Sequence, residues 1–167
     1  SIFGLGPGDN PIFTGVYDWS ALLTGASIQA ALAVADGEAD ISFSPAGGLH
    51  HGHPRKASGF CFMNDAVVAI RALLERGLRV AYVDIDAHHG DGVQDAFYTT
   101  DQVLTISLHQ TGATLFPGTG HYRETGIGQG KGHAVNVPFQ DQSDDQIFLE
   151  AFDRVVPPLV QAYDPDI

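Results

Sequence analysis

The sequence predicts an α/β domain with a mainly parallel sheet. Three short, β-branched runs, Arg79 to Ile85, Val103 to Leu108 and Ala134 to Val137, read as buried strands. Segments whose apolar residues recur with helical spacing lie before, between and after them. A chain of 167 residues with 44% hydrophobic content also has the length and apolar share of one globular domain. Strands alternating with helices give an α/β domain, and in such sheets ligands collect where the loops leave the carboxyl ends of the strands.

The elements follow in order. The chain opens without methionine in a Gly/Pro-rich loop, Gly4-Leu5-Gly6-Pro7-Gly8. Trp19 to Ala35 carries Leu22, Leu23, Ala26, Ile28, Ala30, Ala31, Leu32 and Val34, which predicts a helix with Asp18 as N-cap and Gly37 as its stop. The short apolar run Ile41 to Phe43 precedes a stretch from Pro45 to Gly59 that is too punctuated by Gly, His and Pro for regular structure. A second helix is predicted from Asn64 to Arg76, ended by Gly77. The strand Arg79 to Ile85 leads directly into Asp86-Ala87-His88-His89-Gly90-Asp91-Gly92. A short helix from Val93 to Tyr98, the Val103 strand and a turn-rich Phe116-Pro117-Gly118-Thr119-Gly120 loop come next. After the Ala134 strand, Asp144 to Tyr163 is helical in pattern, and Pro157 and Pro158 are expected to kink or divide it. The closing Asp164-Pro165-Asp166-Ile167 looks like the turn into a new strand, and both ends of the chain read as truncated. There is no internal repeat, low-complexity tract or clear linker.

Composition narrows the function. With 20 acidic and 8 basic side chains, the formal charge of −12 repels phosphate backbones and anionic lipids, which argues against nucleic acid as a direct ligand. The same charge suits either solubility alone or a cationic substrate, such as a basic peptide or a polyamine. The single cysteine, Cys61, permits no intramolecular disulfide, and a reducing cytoplasm is the expected compartment. No apolar run approaches the roughly 20 residues that span a bilayer, so no membrane partner is expected.

Two clusters carry chemistry. In Asp84-Ile85-Asp86-Ala87-His88-His89-Gly90-Asp91-Gly92, three carboxylates and two imidazoles crowd the end of an apolar strand, where burial without a cation is costly. Residues two apart in extended backbone project to one side, so Asp86 and His88 can present an oxygen and a nitrogen to one divalent ion, zinc or another first-row metal. The same residues would equally serve as a cap and turn network for the following helix. Two ligands are in any case fewer than the three protein ligands a catalytic zinc normally holds. The second cluster, Gly47-Gly48-Leu49-His50-His51-Gly52-His53-Pro54, places adjacent imidazoles in a glycine-rich loop. That suits proton transfer near neutral pH, with a carboxylate behind each ring to fix its tautomer, and Asp84 and Asp91 are available for the task. Alone, such a pair also fits a solvent-facing surface loop.

Taken together, four ordered blocks resemble those of histone deacetylases and their bacterial relatives. They are Gly47-Gly48-Leu49-His50-His51, the run from Ala57 through Gly59-Phe60-Cys61-Phe62-Met63-Asn64 to Asp65, the run from Tyr82 to Gln94, and Phe116-Pro117-Gly118-Thr119-Gly120. The resemblance runs from Phe3 to Ile167 and is nearest to the bacterial acetoin-utilisation type. It implies a three-layer, arginase/deacetylase-like fold with helices on both faces of the sheet, of which residues 1–167 form the N-terminal and central part of a single catalytic domain.

By this resemblance Asp86 and His88 are zinc ligands, and His50 and His51 are the paired acid/base histidines, backed respectively by Asp84 and Asp91. The Gly59 backbone accepts the substrate amide N–H, Phe60 and Phe116 wall the acyl-lysine channel, and Asp9 is the rim aspartate that holds the substrate backbone. Monovalent cations, usually potassium, are implied at Asp84, Asp86, His88, Ser107 and Leu108, and at Phe97, Thr100 and Val103. The resemblance also implies a third ligand in a Gly-Ala-Asp segment and a carbonyl-polarising tyrosine in a glycine-rich loop, and no residue of this chain occupies those motif positions. The expected reaction is therefore zinc-dependent hydrolysis of an N-acetyl amide, with acetyl-lysine in a protein or peptide as substrate, and the 167 residues alone are expected to bind zinc weakly and turn over negligibly. The alternatives are an acetylpolyamine amidohydrolase acting on an acetylated small amine and a non-catalytic module that binds acyl-lysine. An arginase-like two-manganese hydrolase is opposed by the His50-His51 block. Oligomeric state is left open by the sequence.

Overall fold

The computed structural model describes residues 1–6 and 8–167, so Pro7 of the predicted opening loop lies outside the described residues. The chain forms two compact units, Ser1–Gly77 and Leu78–Ile167.

In the first unit, α1 (Val16–Ala35) and α2 (Asp65–Leu74) pack together. Asp18 is not the N-cap of α1: Gly15 holds that position without a side-chain cap, and Asp18 lies in the first turn. A carboxylate there is favoured by the positive end of the helix dipole without having to bond an N–H, which is why the local pattern mistook its role. The C-terminus is the predicted one. Glu38 N–H donates to Ala33 O at 2.9 Å and Gly37 N–H to Val34 O at 3.0 Å, with Gly37 at φ +72°, the paired bonds that a left-handed residue allows at a helix end. Ser20 and Thr24 are buried in α1 because their hydroxyls donate to the carbonyls of Val16 and Ser20 one turn back. The Asn64 side chain caps α2 by accepting from Val67 N–H at 3.0 Å. The run Ile41 to Phe43 forms no strand, and both of its large side chains are exposed.

The second unit is a three-stranded parallel sheet in the order β1 (Val80–Asp84), β2 (Val103–Gln110), β3 (Ala134–Phe139). All three predicted strands are present, and the central one is buried along nearly its whole length, which is why it reads as an uninterrupted apolar run. Helix α3 (Asp91–Phe97) follows β1, and α4 (Asp145–Tyr163) follows β3. The period-2 alternation of β2 assigns its two faces different tasks. Leu104, Ile106 and Leu108 pack with Val156 and Tyr163 of α4. The opposite face carries Thr105, Ser107 and His109, and there Asn136 of β3 donates to Gln94 of α3 at 2.6 Å. Helices therefore cover both faces of this sheet. Asp166 N–H donates to Arg79 O and Ala81 N–H to Ile167 O, both at 2.9 Å, so the last residues run beside β1.

Of the kink or division expected from their rings, Pro157 and Pro158 do not produce the division, and α4 runs unbroken through both. They lie on the solvent side, where the carbonyls of Asp153 and Arg154, which lose their N–H partners, belong to exposed residues. The opposite stripe, Phe148, Phe152, Val155, Val156, Leu159, Val160 and Tyr163, is held against the sheet and keeps the helix in one piece. This packing is the unit's main store of stability. Truncating Ile106, 0% exposed at its centre, to alanine should cost about 2–5 kcal/mol in urea unfolding, whereas Ile147→Ala on the exposed side should change it by less than about 0.5 kcal/mol.

Candidate functional site

The residues predicted to carry chemistry fall in both units, and each group has its own local support. In the first unit, His50 and His51 are buried, with ring centroids 4.0 Å apart and ring planes inclined at 51°. Their loop is gripped by two consecutive side chains at the start of α2. The Asn64 amide donates to His50 O and Gly52 O, each at 3.0 Å, while the Asp65 carboxylate accepts from Gly48 N–H at 3.1 Å and Leu49 N–H at 2.7 Å. Gly59 and Phe60 form a tight turn closed by Cys61 N–H donating to Ser58 O at 2.8 Å. Both turn residues have left-handed backbones, Gly59 at φ +49° and Phe60 at φ +68°. For an aromatic residue that conformation costs of order 1–3 kcal/mol, and it leaves the Phe60 ring 70% exposed. Cys61 Sγ donates to the Gly59 carbonyl at 3.2 Å. Asp9 is exposed and makes no hydrogen bond or ion pair among the described residues, so nothing in the unit ties it to the other predicted groups.

In the second unit, the end of β1 turns through a chain of carboxylate bonds. Buried Asp84 accepts from Tyr82 OH at 2.8 Å and from Asp86 N–H at 3.1 Å. Asp86 Oδ1 in turn accepts from His88 N–H at 2.7 Å and lies 2.9 Å from His88 Nδ1. A carboxylate oxygen and an imidazole nitrogen therefore converge on one point, on side chains 52% and 40% exposed. Two donors about 2.0–2.1 Å from a tetrahedral zinc stand roughly 3.3 Å apart, so a small rotation suits the pair to a divalent ion. Their chemistry, hard oxygen and borderline nitrogen, fits zinc. Among the described residues, no group of three or more His, Cys, Asp or Glu side chains gathers as a metal site. The ring of Phe116 meets His88 edge-on at 6.2 Å between centroids. Asp91 begins α3, and its Oδ1 accepts from Gly92 N–H at 2.9 Å.

The residues predicted for monovalent cations divide the same way as the sheet. Asp84 and Ser107 are partners in the β1–β2 register, with Leu108 next in β2. Phe97, Thr100 and Val103 lie in the α3–β2 connection, where Thr100 N–H donates to Phe97 O at 3.2 Å. Carbonyls at a helix C-terminus carry the negative end of its dipole, which favours a cation.

Beneath His88 lies a buried network that the sequence did not reveal. His89 donates from Nε2 to Gln94 Oε1 at 3.2 Å and accepts from the Thr119 hydroxyl at Nδ1, 2.8 Å away. His109 donates from Nε2 to Gly120 O at 2.9 Å and accepts from the Ser107 hydroxyl at Nδ1, 2.8 Å away. Gln94 also donates to Glu124 at 2.8 Å, and Glu124 accepts the N–H groups of Gly120 and His121. Burial pushes both imidazoles below their ordinary pKa, and the neighbouring ring of His109 adds to the effect on His89. Burial works against the Glu124 carboxylate, yet the bonds from His121 N–H, the Gln94 amide and Gly120 N–H outweigh it and hold its pKa below the usual carboxylate value. Neutral rings thus anchor the loop that carries Phe116. Glu124 lies four residues beyond the Phe116 to Gly120 block and Asn136 lies in β3, and only the folded sheet brings both to Gln94.

Similarity to known proteins follows the same residues. The Histone deacetylase domain family matches residues 3–167. Histone deacetylase clr6 of Schizosaccharomyces pombe is 48% identical over 158 residues, which are 95% of this chain and 39% of that protein. Histone deacetylase RPD3 of Saccharomyces cerevisiae is 46% identical over 94% of this chain and 36% of its own length. The crystal structure of a histone deacetylase homologue from Aquifex aeolicus superposes with a TM-score of 0.93 at 38% identity, covering 99% of this chain and 44% of that one. A homologue complexed with SAHA gives a TM-score of 0.94 at 37% identity. The chain thus spans about two-fifths of the length of the relatives it matches. The match extends through both the paired-histidine loop and the Asp86–His88 turn, and the chain belongs to the histone deacetylase domain family.

Proposed function

We propose that the whole protein hydrolyses an N-acetyl amide, with acetyl-lysine in a protein or peptide as its substrate, and that residues 1–167 contribute to a single catalytic domain. The observation that carries this reading is the convergence of Asp86 Oδ1 and His88 Nδ1 at 2.9 Å. The names of the curated relatives and the SAHA complex of a similar structure support it. Zinc, when held by Asp86 and His88, supplies a Lewis acid that makes water more acidic and polarises an acyl oxygen.

The chain's own groups handle protons and position. A ring nitrogen of His50 or His51 takes the proton of the attacking water, and a protonated ring of the pair returns one to the nitrogen of the departing amine. Asp84 and Asp91 serve as the carboxylates that set tautomer and basicity in this scheme, by the family resemblance. The Gly59 carbonyl accepts the substrate amide N–H, Phe60 and Phe116 contact the acyl-lysine stem, and Asp9 holds the substrate backbone. Potassium would be held by Asp84, Asp86, His88, Ser107 and Leu108, and by Phe97, Thr100 and Val103. Their residue types, carboxylate, hydroxyl and backbone carbonyl, suit a hard monovalent cation. The lone, buried Cys61 and the charge of −12 suit a cytoplasmic enzyme with no nucleic-acid ligand. No helix among the described residues is long and apolar enough to cross a membrane.

The acidic charge also favours a second reading, hydrolysis of an acetylated polyamine. Kinetics on an acetyl-lysine peptide and an acetylated polyamine side by side should favour the peptide, and a clear preference for the polyamine would select the second reading. His50→Ala and His51→Ala should each lower kcat on the peptide by about 10²- to 10⁴-fold without loss of bound zinc. Asp86→Asn and His88→Ala should instead release the zinc, read by metal analysis after dialysis. With two ligands where catalytic zinc takes three, the 167-residue chain alone should bind zinc weakly and show negligible turnover; robust zinc-dependent turnover by it would overturn that expectation.

A further inference from the structure

Asp65 is 2% exposed, at the first position of α2, although the capping of that helix is done by Asn64. Its carboxylate turns away from the helix and accepts three bonds, from Ser27 Oγ of α1 at 2.6 Å, Gly48 N–H at 3.1 Å and Leu49 N–H at 2.7 Å. Burying a carboxylate is costly, and a first-turn acid gains its helix-dipole benefit at the surface as well. What burial adds here is a grip on the loop. Leu49 N–H is bonded to Asp65 and His50 O to Asn64, so the backbone is held on both sides of the Leu49–His50 peptide. Gly47 lies so close that a Cβ there would meet Asp65 Oδ2 and Ser27 Oγ, each at 2.6 Å. The carboxylate thus links α1, α2 and the histidine loop at one point.

We infer that Asp65 is a positioning residue for the His50–His51 pair, acting on the imidazoles through the backbone of residues 48–50; this rests on the proton-transfer role proposed above for those histidines. Proton transfer demands placement within a fraction of an ångström, and supporting contacts of this kind are commonly worth 10- to 100-fold in activity. Asparagine at position 65 keeps the shape but turns one acceptor oxygen into an NH₂ group, so one loop N–H loses its partner.

The test is Asp65→Asn in the whole, zinc-loaded protein, beside His50→Ala and His51→Ala. Asp65→Asn should lower kcat on an acetyl-lysine peptide about 10- to 100-fold while KM stays within about 3-fold. Bound zinc should be unchanged, and amide exchange at Gly48 or Leu49 should quicken. A purely structural role would lower Tm yet leave kcat per folded, zinc-loaded molecule at the wild-type value, and that result would overturn the inference. If Asp65→Asn does not fold, Ser27→Ala, which frees the carboxylate from α1, should lower kcat about 3- to 10-fold at constant KM. Wild-type kcat in folded Ser27→Ala would then be the overturning result. Loss of activity in the histidine variants with wild-type kcat in Asp65→Asn would reject the positioning role alone. Full activity in His50→Ala and His51→Ala would reject the proton-transfer reading and this inference with it.

Discussion

A buried carboxylate must have its oxygens bonded, and at the end of β1 that requirement shapes the chain. Asp84 lies where an apolar strand ends, 5% exposed, and it is satisfied by Tyr82 OH and by the N–H of Asp86. The second bond turns the backbone so that Asp86 accepts from His88 N–H, which brings the His88 ring against the Asp86 carboxylate. Each acid thus fixes the residue two positions on, by the local side-chain to backbone bonding to which short acidic side chains are prone. The meeting of Asp86 and His88 is a consequence of how the strand's buried charge is satisfied. Removing the Asp84 carboxylate would leave the turn without its first acceptor.

The first unit solves a related problem with two residues in tandem. Asn64 and Asp65 supply both donors and acceptors to a loop that has few backbone bonds of its own, and they do so from the rigid start of a helix. Loops that carry function are mobile unless such contacts hold them. In the second unit the His89–Gln94–Glu124 network plays that part for the Phe116 to Gly120 loop, with neutral imidazoles because burial disfavours their charge. Both loops are therefore supported by buried polar groups whose hydrogen bonds are largely complete, the condition under which such groups rigidify a structure.

The two exposed aromatics of these loops share a different constraint. Phe60 is held out by a left-handed backbone, and the ring of Phe116 meets His88 in a T-shaped contact. Neither ring contributes to a core, since their exposures are 70% and 44%. Each therefore keeps apolar surface in water, against the hydrophobic effect.

By itself the sequence determined whatever depends on near neighbours. Helices α1 and α2, the three strands and the stop at Gly37 follow from apolar period and turn residues, because those forces act within a few positions along the chain. The Asp86–His88 pairing was legible for the same reason, since the two lie two positions apart, although the bonds of a turn rather than extended backbone bring them together. What only the tertiary structure decided involves partners far apart in sequence. Asp65 reaches Ser27 across 38 positions, and Asn136 reaches Gln94 across 42. The continuity of α4 through Pro157 and Pro158 was likewise decided by its packing on Leu104, Ile106 and Leu108. No local pattern encodes those meetings, since each exists only once burial has drawn separate segments onto a common core.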